Sequence, residues 1–142
     1  MRICGIELTG NDAVVCLLSS EHGLFNLPDS RIRKLTLPKE HTRADLQRFQ
    51  KDLVQFLRDY KVERVVVKER LQKGKFAGGA VSFKIEAAIQ LIAEPNIEVH
   101  LISATQIKAI LADSPQPVPF QETGLKQFQE GAFTTAYAGH YL

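Results

Sequence analysis

Residues 2–10 read Arg2-Ile3-Cys4-Gly5-Ile6-Glu7-Leu8-Thr9-Gly10, a short apolar run that places a carboxylate where the chain enters a turn. The β-rich stretch 2–8 is followed by a second, 13–19, and the intervening Gly10-Asn11-Asp12 tolerates the positive φ angles of tight hairpin turns. This pattern predicts an antiparallel hairpin. Residues 30–37, Ser30-Arg31-Ile32-Arg33-Lys34-Leu35-Thr36-Leu37, alternate polar and apolar side chains and close at Pro38, which suits a third, half-exposed strand. The cations Arg31, Arg33 and Lys34 on it suit protection of a sheet edge.

Beyond Pro38 the apolar period changes from two to 3.6. Thr42, with Asp45 three residues on, caps a first helix in which Leu46, Phe49, Leu53, Phe56, Leu57 and Tyr60 share a face. Arg64 to Lys68 carries three consecutive valines, the mark of a central strand covered on both faces, and stops on Glu69. Val81, Ile85, Ala88, Ile89 and Ile92 then outline a second helix ending before Pro95, and residues 97–102 form another strand. Thr105 caps a short third helix, Ser114 to Pro119 reads as a surface loop, and a last helix covers 125–141 with Leu125, Phe128, Ala132 and Ala136 on one face.

Later strands separated by helices run parallel, so the expected architecture is α/β: a five-stranded mixed sheet of order 3-2-1-4-5, flanked by helices. The connections diverge at the first strand, and open α/β sheets bind ligands beyond the carboxyl ends of strands at such a point. Glu7 and Glu69 would both lie there, and two carboxylates at one sheet edge suit a hard cation such as Mg²⁺ or Mn²⁺. The 142 residues amount to one domain, 1–142, able to bury a core without disulfides. A net charge of +2 announces no overall basic field, so any nucleic-acid contact must come from a local patch. No apolar stretch reaches signal-peptide or membrane-spanning length, and Cys4 and Cys16 lack CxxC spacing. Both features fit a cytoplasmic protein with reduced, buried thiols and no membrane partner.

Three segments in this order resemble landmarks of the ribonuclease H-like fold, within it the RuvC-type Holliday-junction resolvases. Gly5-Ile6-Glu7-Leu8-Thr9-Gly10 is similar to the opening G-I-D-x-G strand, Val66-Val67-Lys68-Glu69 to the second acidic strand end, and Ala104-Thr105-Gln106-Ile107-Lys108 to the P-x-x-V-K segment. The chain also looks like a small bacterial family on that fold known only as a domain of unknown function. The resemblance implies phosphodiester hydrolysis by carboxylate-held Mg²⁺ or Mn²⁺, structured nucleic acid as partner, and a homodimer of the kind resolvases form. It assigns Glu7 and Glu69 as catalytic metal ligands, with Glu7 standing where the family carries Asp. The last helix would supply a further catalytic acid. Glu130 is the candidate, although it lies more than about 90° from that helix's apolar face.

Residues 70–79, Arg70-Leu71-Gln72-Lys73-Gly74-Lys75-Phe76-Ala77-Gly78-Gly79, hold three cations, one aromatic and no acid. Arg70, Lys73 and Lys75 suit phosphates and Phe76 suits stacking on an unpaired base. Two functions follow: a RuvC-like metal-dependent nuclease acting on structured nucleic acid, or a catalytically inactive member of the fold that binds nucleic acid or a protein.

Overall fold

β1 (Arg2–Thr9) and β2 (Asp12–Glu21) form the expected hairpin, closed by Gly10 at φ +58°. The molecule is described by a computed structural model over residues 1–74 and 78–142. A short β3 (Leu24–Asn26) pairs with the end of β2, and β4 (Lys34–Thr36) pairs with its beginning. The capped helix α1 (Arg43–Asp59) leads to β5 (Arg64–Lys68), which lies parallel to β1. Then follow α2 (Ala80–Gln90), β6 (Glu98–Ile102) parallel to β5, α3 (Ala104–Asp113) and α4 (Glu130–Gly139).

The sheet therefore has six strands, not five, in the order β3-β2-β1-β5-β6 with β4 also on β2. Ten residues make β2 long enough to carry two short partners along one edge. The central order β2-β1-β5-β6 is the expected one, with its switch point at β1.

Alternation along β1 explains why the strand is apolar throughout. Cys4, Ile6 and Leu8 pack with Val65 and Val67 beneath Phe49, Leu53, Phe56 and Leu57 of α1 and Ile85 and Ile89 of α2. Ile3 joins Val14, Val66 and Ile102 under Ala132, Phe133 and Ala136 of α4 and Ile107 of α3. Glu7 falls on this second face.

Helix starts follow capping chemistry. Thr42 Oγ1 accepts from the Asp45 amide at 3.2 Å while Asp45 Oδ2 accepts from the Thr42 amide at 2.9 Å, a full capping box worth about 1 kcal/mol. For α3 the cap is Ser103, two residues before the expected Thr105, because Gln106 Oε1 can accept from the Ser103 amide. The last helix starts later than expected: residues 127–129 form a 3₁₀ turn that runs into α4. At about 120° per residue this turn rotates the side chains off the α-helical face. Phe128 is consequently 48% exposed and Gln129 is buried, its Nε2 donating to Val15 O at 3.1 Å.

Candidate functional site

Glu7 stands at the carboxyl end of β1 with 23% of its side chain exposed. Its carboxylate presses on the first turn of α4, at the positive end of the helix dipole. A Cβ built on Gly131 would lie 2.2 Å from both Cδ and Oε2 of Glu7, so a larger residue there would push the carboxylate aside.

The charged partner of Glu7 is Lys68, whose Nζ lies 3.5 Å from Oε2. Ile6 sits opposite Val67 in the parallel β1–β5 pair, so the next residues, Glu7 and Lys68, are neighbours. Alternation puts Lys68 on the α4 face with Val66 and Glu7. Glu69 is displaced by one position from that face. It is exposed beyond the strand, and its amide donates to Ile102 O at 2.8 Å. Glu130 precedes Gly131 in the chain but is exposed, accepting from Gln127 Nε2 at 3.1 Å. Among the described residues no three His, Cys, Asp or Glu side chains gather to hold a metal ion. A divalent cation on Glu7 would meet the Lys68 ammonium, and the donors on this face do not suit one.

Of the loop residues, Arg70 is half-buried and turned inward. Its Nη1 donates to Leu8 O at 2.7 Å, its amide to Glu86 Oε2 at 2.9 Å, and its Nε abuts Gly78, where a Cβ would lie 2.6 Å away. It fastens the end of β1 to the loop. Lys73 is exposed, and Lys75 and Phe76 lie outside the described residues. Lys68 lies within the Val66–Glu69 motif, where Glu69 draws the attention of a sequence reading; the strand register is the signal that finds it.

Cys4 and Cys16 are buried free thiols, and burial pushes the Cys16 thiol up to about 12, so it stays protonated and inert. His140 lies far from Glu7. Its Nε2 is 3.0 Å from Leu18 O, and because a carbonyl only accepts, that nitrogen carries the proton. Burial holds the His140 imidazole below the usual histidine range, and the chain's amino terminus and Arg64 push the same way. The folded state thus prefers neutral His140. The stability this contributes is complete above the unfolded value of about 6.5 and is lost as pH falls through the lowered folded value. Urea unfolding between about pH 7 and pH 5 is expected to show a steeper loss for the natural chain than for His140→Gln. Parallel curves for the two proteins would rule this contribution out.

The described residues include no helix long and apolar enough to cross a membrane. The profile of one family, "Protein of unknown function (DUF3010)", matches residues 1–139. The chain belongs to the DUF3010 family. No curated protein matches the DUF3010 chain. Among solved structures it is similar to Thermus thermophilus RuvC, with a TM-score of 0.76 at 15% identity, covering 99% of this chain and 94% of that one. T. thermophilus RuvC in complex with a Holliday junction substrate aligns with a TM-score of 0.72 at 15% identity, over 99% and 93%. Fowlpox virus resolvase with Holliday junction DNA aligns at 0.58 and 13% identity, over 100% and 99%. These likenesses establish a RuvC-like, ribonuclease H-like fold for the DUF3010 chain.

Proposed function

We propose that this DUF3010 chain binds structured nucleic acid, branched DNA in the first instance, and holds it without hydrolysing it. The observation that carries this reading is the Lys68–Glu7 ion pair at the carboxyl end of β1. Metal-dependent hydrolysis needs carboxylates converging on a cation. Here the register sets an ammonium beside the strand-end acid, and Glu69 falls one position off that face. A side-chain cation already balances Glu7. The nucleic-acid part of the reading is supported by the shared fold with resolvases whose structures carry Holliday junctions.

The test is an affinity measurement with a labelled four-way junction, a duplex and a single strand, in EDTA and in Mg²⁺ or Mn²⁺. The junction is expected to bind equally well in EDTA, to be released by rising salt, and to remain intact with either metal. Metal-dependent cleavage that disappears in a folded Glu7→Gln variant would restore the nuclease reading. Failure to bind any of the three nucleic acids would remove the proposal altogether.

A further inference from the structure

Beside the Glu7–Lys68 pair lies a second feature, outside the sequence motifs. Register places Lys34 of β4 opposite Val14 of β2, and Val14 opposite Glu7. Side chains in one row across a sheet share a face, so Lys34 joins Glu7 and Lys68 on the α4 side, two strand spacings or about 10 Å from Glu7. The Lys34 ammonium lies over the Phe128 ring, 5.9 Å from its centroid, and Phe128 is 48% exposed. The 3₁₀ turn that rotates Phe128 out of the core thus sets an open aromatic surface beside the row.

We propose that Phe128, with Lys34 beside it, is a stacking site for an unpaired nucleotide: the base lies on the exposed ring and an adjoining phosphate meets the Lys34 ammonium, with Lys68 farther along the same row. The inference rests on the nucleic-acid reading above and locates its contact. Stacking on an aromatic ring combined with cations tracking a phosphate backbone is how single strands are held. Acids share this rim. Lys34 stands 3.8 Å from Asp12, beyond hydrogen-bond length, so its ammonium keeps protons to donate to a phosphate. Glu130 accepts from the neutral Gln127 amide and keeps its charge. Arg33, next to Lys34, is exposed, enters no ion pair among the described residues, and lines the adjoining cleft with Asp29 and Gln129. Contacts of this kind suit a flexible strand better than a rigid duplex.

The chain contains no tryptophan, so Phe128→Trp gives a single reporter at the proposed contact. Its fluorescence is expected to be quenched as oligothymidine is added, and Phe128→Ala is expected to weaken oligothymidine binding about tenfold, in line with the loss of one stacked base. A Lys51→Ala control, on the exposed side of α1 across the sheet from α4, is expected to leave affinity near that of the natural chain. Unquenched Phe128→Trp together with unchanged affinity in Phe128→Ala would overturn the site while leaving the functional reading intact. The site is overturned in the same way if the natural chain binds the four-way junction but not the single strand. If it binds no nucleic acid, both fall.

Discussion

Gly5→Ala is expected to lower stability by about 3 kcal/mol or more, enough to drop the melting temperature by roughly 10 °C. The added Cβ would lie 2.3 Å from Ala132 O, 2.4 Å from Ala136 N and 2.7 Å from Ala136 Cβ. Two of these three atoms are helix backbone, and they cannot swing aside as the end of a flexible side chain would. Relief requires lifting α4 from the sheet, which opens the layer formed by Ile3, Val66, Ala132, Phe133 and Ala136. The same movement withdraws Gly131 from Glu7, so the acid loses its setting along with the fold. Gly79, at the start of α2, would bring an added Cβ within 4 Å of no atom among the described residues, and Gly79→Ala is the control expected to melt near the natural chain. Thermal and urea unfolding measure both variants. An unchanged midpoint for Gly5→Ala would mean that α4 does not pack on β1 as closely as described.

That close packing also marks where the sequence is informative and where it is not. The valines of β5, the alternating face of α1 and the turn at Gly10 announce themselves because each depends on neighbours within a few residues. The central strand order and the switch point at β1 follow from them, and the RuvC-like fold agrees. β3 escapes because three residues are too few to establish a period. A 3.6-residue period places Phe128 on the apolar face of the last helix, whereas the chain takes a 3₁₀ turn there. The candidate site is legible only in part. Glu7 and Glu69 both come to the same sheet edge, but which of Lys68 and Glu69 shares a face with Glu7 depends on pairing between strands some sixty residues apart, and one step of register exchanges them. Gly131 is invisible for a similar reason: its use is to admit a side chain from β1, and nothing local to α4 records that.

The register also makes Lys68→Glu the most informative substitution at the site. It is expected to create a metal site on the α4 face. The introduced carboxylate would stand beside Glu7 on the neighbouring strand, about 4.8 Å away between backbones, on the α4 face. Without a cation the two acids repel each other, and one of them should bind a proton more tightly. The variant is therefore expected to melt below the natural chain at neutral pH. Mn²⁺ should reverse this, because a ligand that binds only the folded state stabilises it by about 2.7 kcal/mol at a hundredfold excess over Kd. Electron paramagnetic resonance of free Mn²⁺ reads the binding directly, and the melting temperature reads its linkage to folding. Lys68→Met, which removes the ammonium without adding a carboxylate, separates the two contributions: it should bind Mn²⁺ weakly if at all, because Glu7 alone offers too few oxygens. Should the natural chain take up Mn²⁺ as tightly as Lys68→Glu, with the uptake lost in Glu7→Gln, the ammonium would not be acting as the counter-ion of Glu7. A metal-dependent nuclease would then be the better description of this chain.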